Sequence, residues 1–160
     1  MKQLLFNENW KFWNDKNSFA LVWNIPETAQ EVTLPHDAMI HQEPHADSLN
    51  GGNTGFYDGG NYVYVKNLVV TSDMLNQIIA LRFDGAYMNT YVYVNGQLAG
   101  SHHYGYTGFV VKVNDFVHEG NNEIRVQVRN GAMSNSRWYS GSGLYRDVYL
   151  LTSNLLHIEP

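Results

Sequence analysis

Residues 89–102, "NTYVYVNGQLAGSH", decide the fold of this chain. Two extended runs rich in β-branched and aromatic residues flank the pair Asn95-Gly96. A type I′ turn needs a positive φ at both central positions, and Asn-Gly is a dipeptide that tolerates this well. The stretch therefore predicts an antiparallel β-hairpin.

Working outward, the segment 122–130, "NEIRVQVRN", alternates with a period of two. Its apolar face carries Ile124, Val126 and Val128, and its polar face carries Glu123, Arg125, Gln127 and Arg129. This pattern is typical of a half-buried strand whose polar side chains face solvent. Further strands are predicted at 61–70, 78–85, 108–113 and 147–152. About eight to ten short antiparallel strands with Gly and Asn turns predict an all-β sandwich or barrel.

Composition excludes several classes of function. The 160 residues suggest one domain, and the net charge of −5 without a Lys/Arg run argues against nucleic acid and anionic membranes. The absence of cysteine excludes disulfides and thiolate chemistry. We find neither an apolar signal-peptide core nor a stretch of about 20 apolar residues, so a cytoplasmic location is expected.

Two irregular segments interrupt the strand pattern, at 35–60 and 130–143. Both are polar and aromatic, and the first is rich in His, Gly and Asp. Long irregular segments on a regular scaffold are commonly functional, so these two form the candidate binding surface.

The histidines of the first segment do not predict a metal site. His36, His41 and His45 are spaced by five and four residues, which matches no compact zinc pattern. We expect hydrogen bonding within the loop instead, and no metal. Nor does "SGSG" at 140–143 predict a nucleophile elbow or a phosphate loop, because it lacks the Gly-x-Ser-x-Gly pattern and a following helix.

Glycoside hydrolysis needs two carboxylates on either side of the scissile bond. Glu123 falls on the polar face of a regular strand, and Glu8 lies near Trp10 in the first segment. Neither forms an evident pair, so we do not expect catalytic residues in this chain.

The loop residues Arg137, Trp138 and Tyr139 allow two interpretations. A guanidinium fork beside two aromatic rings with polar edges suits a sugar or an interdomain contact. Alternatively, the rings close one end of the sandwich and Arg137 binds a backbone carbonyl. Residue chemistry alone leaves both open.

Several motifs together resemble one known family. "LPHD" (34–37), "VNGQLAG" (94–100) and "RWYSGSGLYR" (137–146) occur in an order that covers essentially the whole chain. The chain is similar to the amino-terminal, jelly-roll sugar-binding domain of glycoside hydrolase family 2, and most similar to its bacterial β-galactosidases. The resemblance implies a jelly-roll β-sandwich, galactose-binding-domain-like, over residues 1–151, with 152–160 leading into a missing immunoglobulin-like domain.

In such retaining exo-glycosidases the catalytic glutamates lie on a TIM barrel, which this chain lacks. The resemblance therefore implies a non-catalytic domain, inactive alone, that supports the barrel and reaches the rim of the substrate pocket. It places any divalent or alkali metal of the parent enzyme in the barrel, with no cofactor in this domain. A β-galactoside or related carbohydrate is the expected ligand, and the missing immunoglobulin-like and barrel domains are the expected partners.

By their match to family motifs, Asp37 and Arg137 are the expected sugar contacts. Trp138 and Tyr139 complete the candidate substrate-binding set, chiefly as supports of the loop, and Arg146-Asp147 is expected to be structural. Ala38 departs from the aromatic residue that many relatives carry there, so the rim beside Asp37 is expected to differ. Two alternatives remain: a free-standing carbohydrate-binding module, and an interaction domain that holds a homo-oligomer together.

Overall fold

The computed structural model describes residues 1–16, 23–132 and 137–155, and shows two antiparallel sheets in this part of the chain. The smaller sheet has the order β1 (Lys2–Leu5), β10 (Val148–Ser153), β5 (Ile78–Phe83) and β8 (Phe109–Lys112). The larger has the order β3 (Gln30–Val32), β2 (Trp10–Asn14), β4 (Asn61–Val70), β9 (Gly120–Arg129), β6 (Thr90–Val94) and β7 (Gln97–His102). The one-turn helix α1 (Ser72–Leu75) and 3₁₀ turns at 51–54 and 114–116 complete the fold. The predicted all-β sandwich is confirmed.

The hairpin of β6 and β7 turns at the predicted pair, with φ of 49° at Asn95 and 83° at Gly96. The Asn95 side chain also fixes the turn to its surroundings. Its amide donates to the Asn122 carboxamide oxygen at 2.7 Å and to a carbonyl at 2.9 Å, and its oxygen accepts from the Glu123 backbone N–H at 3.0 Å. The turn is therefore locked to the start of β9.

Apolar side chains from both sheets form one core. The alternation seen in the sequence points Val92 and Val94 of β6 and Val126 of β9 inward, where they are fully buried. The other core residues include Trp10, Tyr64, Ile79, Leu81, Phe83, Ile124, Val128, Leu144 and Val148. Burying each large apolar side chain stabilises the fold by roughly 1.5–3 kcal/mol, so the two sheets are held together chiefly by this layer.

The outer face of β9 differs from the prediction. Arg125, expected to face solvent, is only 1% exposed. Its guanidinium donates to the Glu123 carboxylate at 2.9 Å and to the Trp23 carbonyl at 2.6 Å, and lies 5.5 Å and 5.0 Å from the rings of Trp13 and Trp23. The prediction was wrong because Trp23, remote in sequence, covers this face of the sheet.

The last strand ends one residue beyond the strand predicted at 147–152. β10 continues to Ser153, with Thr152 and Ser153 paired to β5. Residues 156–160, at the end of the predicted linker, lie outside the described residues. None of the helices in the described ranges has the length and apolar character needed to cross a membrane.

Candidate functional site

The two irregular segments meet at one end of the sandwich. The backbone N–H of His36 donates to the carbonyl of Leu144, and that of Ala38 donates to the carbonyl of Ser142, both at 2.8 Å. The "LPHD" motif and the "SGSG" run therefore lie side by side in an extended arrangement, which brings all the candidate residues to one surface.

The carboxylate of Asp37 joins these segments. One oxygen accepts from the backbone N–H groups of Met39 at 2.9 Å and Ser142 at 3.0 Å, and the other accepts from the Tyr139 hydroxyl at 2.6 Å. Hydrogen bonds to a charged acceptor are stronger than neutral ones. Asp37 therefore fixes the loop that carries Arg137.

Two glycines let the loop pass this close to the first segment. Gly141 and Gly143 have φ of 69° and 108°, a region that side chains disfavour. A Cβ at Gly141 would lie 2.9 Å from an Asp37 carboxylate oxygen, and one at Gly143 would overlap the Tyr64 hydroxyl. The two glycines of "SGSG" thus allow the loop backbone to pack directly against Asp37 and Tyr64.

The predicted loop residues differ in how they are held. Tyr139 packs edge-on against Tyr57 at 5.6 Å, and burial together with the Asp37 carboxylate raises the pKa of its hydroxyl, which stays protonated and donates. Trp138 is 60% exposed, although its indole N–H donates to the Tyr106 hydroxyl at 3.2 Å. Arg137 is exposed, and its side chain makes no hydrogen bond or ion pair with the described residues.

The segment 35–60 is ordered by its own polar side chains. Asp58 accepts from the Ser48 hydroxyl at 2.7 Å and the Leu49 backbone N–H at 3.0 Å, and lies 3.2 Å from His45. The Thr54 hydroxyl donates to the Tyr57 carbonyl at 2.6 Å. Residues 45–58 are therefore held together by hydrogen bonds and an ion pair within the loop itself.

The histidines of this loop take part in packing. His36 Nδ1 lies 2.8 Å from the Tyr64 hydroxyl, and its ring stacks on His41. Burial, and then the neighbouring His41, lower the pKa of His36, although Asp37 partly opposes them. In residues 1–16, 23–132 and 137–155, no three His, Cys, Asp or Glu side chains are grouped closely enough to hold one metal ion.

With this geometry in place, comparison with known proteins identifies the family. The model of the glycosyl hydrolases family 2 sugar binding domain matches residues 48–154, more than half of the chain. The chain belongs to glycosyl hydrolase family 2.

Curated relatives within family 2 carry two different names. A β-galactosidase of Bacteroides ovatus is 32% identical over 155 residues, which is 96% of this chain and 18% of the relative. A β-glucuronidase of Bacteroides fragilis is 28% identical over 165 residues, covering 99% of this chain and 22% of the relative. The chain thus spans about a fifth of the length of these relatives.

Solved structures agree on the fold. A β-glycosidase from Bacteroides vulgatus superimposes with a TM-score of 0.86 and 32% identity, over 96% of this chain and 20% of that one. The 160 residues therefore correspond to the amino-terminal domain of family 2 β-glycosidases, with the jelly-roll architecture expected from the motifs.

Sequence patterns missed several residues around this family 2 loop. The Asn130 side-chain amide donates to the Ser142 hydroxyl at 2.5 Å and to the Gly141 carbonyl at 3.3 Å. Tyr106 receives the indole of Trp138. The sequence contains an Asn at a strand end and the aromatic run "HHYGYTGF" (102–109). Neither feature indicates by itself that it contacts the Arg137 loop.

Proposed function

We propose that this domain forms part of the substrate-pocket rim of a retaining exo-β-glycosidase that removes terminal β-galactosides. The observation that carries the proposal is the exposed guanidinium of Arg137, on a loop that Asp37 holds through two hydrogen bonds, from the Tyr139 hydroxyl and the Ser142 backbone N–H. Arg has five donors in a rigid fork, which suits the hydroxyls or a carboxylate of a sugar. A guanidinium that is exposed and makes no hydrogen bond or ion pair with residues 1–16, 23–132 and 137–155 has donors available for a ligand.

Bond cleavage would be carried out by two carboxylic residues in another part of the protein, one as acid/base and one as nucleophile. The glutamates considered from the sequence support this division. Glu8 accepts from the Thr33 hydroxyl at 3.1 Å, and Glu123 is bound by Arg125. Each is engaged with a polar partner rather than with a second carboxylate.

The choice of sugar rests on the relatives, which include both galactosidases and glucuronidases. A β-glucuronide is the second candidate, favoured by the same Arg137, because guanidinium pairs with carboxylate in a bidentate manner. The two sugars are distinguished by assaying aryl β-galactoside and aryl β-glucuronide side by side.

The test uses the protein expressed from its complete natural reading frame. Arg137→Ala should lower kcat/KM for the preferred aryl glycoside by about tenfold to a hundredfold, since a hydrogen bond to a charged group contributes about 1.5–3 kcal/mol. The thermal midpoint should stay nearly unchanged, because Arg137 is exposed. Normal kinetics in this variant would remove Arg137 from the pocket rim.

A free-standing carbohydrate-binding module is the alternative function, and the exposed rings of Trp138 and Tyr139 favour it. It predicts that the 160 residues bind galactose or lactose without any hydrolysis. Calorimetry at millimolar sugar decides between a module that binds alone and a domain that completes a pocket.

A further inference from the structure

Three exposed aromatic rings lie together beside the Arg137 loop. Tyr104, Tyr106 and Trp138, here called the aromatic ledge, are 59%, 46% and 60% exposed. The rings of Tyr104 and Tyr106 meet edge-on at 5.7 Å, and the Trp138 indole N–H donates to the Tyr106 hydroxyl. Two distant parts of the chain thus build one exposed aromatic surface, and surfaces of this kind mark binding sites.

The ledge is held in place despite its exposure. The carbonyl of Gly105 accepts from the Tyr145 hydroxyl at 2.6 Å, and a Cβ at Gly105 would overlap the Tyr87 ring. Tyr87 in turn meets Tyr106 edge-on at 5.3 Å. Rings fixed before binding lose little conformational entropy when a ligand arrives, so this surface is already organised for binding.

The chemistry around the ledge suits a sugar ring. Each of its side chains has an apolar face and a polar edge, and Arg137 directly precedes Trp138 in the chain. Tyr87 also lines an adjoining pocket of about 120 Å³, whose other polar lining residues are Asn50, Thr54, Asn89, Arg129, Asn130 and Ser140. A pyranose offers C–H groups to the aromatic faces and hydroxyls to the polar groups.

We propose that the aromatic ledge binds a second sugar ring of an oligosaccharide whose terminal ring contacts Arg137. This inference rests on the proposed function, from which it takes both the carbohydrate ligand and the contact of its terminal ring with Arg137. It adds Tyr104 and Tyr106 as residues that select oligosaccharides over single sugars.

The test measures binding rather than hydrolysis, using the protein from its complete natural reading frame. Two thio-linked tetrasaccharides, which glycosidases do not cleave, serve as probes, one ending in β-galactose and one in β-glucuronic acid. Methyl β-thiogalactoside and methyl β-thioglucuronide are the single-ring probes. By calorimetry, Tyr104→Ala should raise the Kd of the preferred tetrasaccharide about tenfold, equivalent to about 1.4 kcal/mol. The Kd of the single-ring probes should change less than about twofold.

Two further variants keep the result interpretable. Tyr104→Phe keeps the aromatic ring and should bind the tetrasaccharide like the wild type. Leu98→Ala removes a similarly exposed side chain (52% exposed) near the opposite end of β7 and should leave the Kd unchanged. Unchanged tetrasaccharide binding by Tyr104→Ala, or no tetrasaccharide binding by the wild type, would overturn the proposal. So would a lowered thermal midpoint with unchanged Kd, which would identify the ledge as a contact with another part of the protein.

The two proposals fail in distinguishable ways. If Tyr104→Ala leaves the tetrasaccharide Kd unchanged while the wild type hydrolyses aryl glycosides, the aromatic ledge is not a sugar site. The assignment of Arg137 to the pocket rim is then unaffected. If the wild type hydrolyses neither aryl glycoside but Tyr104→Ala still raises the tetrasaccharide Kd, the ledge is a sugar site. The glycosidase assignment is then wrong.

Discussion

At the scale of single residues, Asp37 has the strongest effect on the shape of the candidate site. Its two oxygens accept from two backbone N–H groups and one phenol hydroxyl, drawn from both irregular segments. An asparagine would present one oxygen and an NH₂ group, and so could not accept at both positions. Two acceptor oxygens are therefore needed to hold Tyr139 and Ser142 at the same time.

Replacing Asp37 by alanine tests this dependence. The variant leaves the N–H groups of Met39 and Ser142 without their acceptor, so the free energy of unfolding should fall by about 2–3 kcal/mol. For a chain of this length that corresponds to a thermal midpoint lower by about 5–10 °C. Asp47→Ala is the matched control, because Asp47 is an exposed carboxylate in the same segment. Equal midpoints for the two variants would contradict the role assigned to Asp37.

At the scale of secondary-structure elements, the extended pairing of residues 36–38 with 142–144 depends on Gly143. Its φ of 108° and the Tyr64 hydroxyl next to it leave no room for a side chain. The buried Tyr64 is itself bound to His36, so it has little freedom to move away. A substitution here disturbs the strand core and the site loop together.

Gly143→Ala should destabilise the protein by about 2–4 kcal/mol, from backbone strain and overpacking against Tyr64. Chemical denaturation monitored by tryptophan fluorescence measures the loss. Gly52→Ala is the comparison variant, because the nearest atom to a Cβ there is 4.0 Å away, and it should lie within about 0.5 kcal/mol of the wild type. A Gly143→Ala protein as stable as Gly52→Ala would show that the loop can shift at little cost.

Local patterns predicted seven of the strands, β4 to β10, since each has alternating or continuous apolar residues bounded by turn residues. They did not locate β1, β2 and β3. β1 is exposed along its whole length and β3 has three residues, so neither carries a periodic signal. These strands form because they pair with longer neighbours, which is tertiary information.

The site was predictable only in part, for a similar reason. Motifs singled out Asp37 and the Arg137 loop, but not the hydrogen bond between Asp37 and Tyr139, which are 102 residues apart. The ledge residues Tyr104 and Tyr106 were passed over because a strand end rich in aromatics does not show in sequence what it faces. The strand pattern could not predict the burial of Arg125, because Trp23, which covers it, is 102 positions away in the sequence.

At the scale of the whole molecule, the pH dependence of stability should show the burial of His36. Its pKa is lowered in the folded state by burial and by the neighbouring His41. The unfolded chain therefore binds more protons than the folded one just below the ordinary histidine pKa of about 6.5. The stabilisation is complete above that pH and is lost as the pH falls through the lower pKa of the folded state.

Thermal midpoints measured from pH 8 to pH 5 test this. The wild type should hold a nearly constant midpoint above about pH 6.5 and lose stability below it, while His36→Gln should lose it less steeply, because the group that resists protonation is gone. His118→Gln is the control, since His118 is exposed and should leave the wild-type slope intact. Carboxylates contribute little to the pH dependence in this range, because their ordinary pKa values lie near 4. Parallel curves for His36→Gln and the wild type would assign the acid sensitivity to other groups.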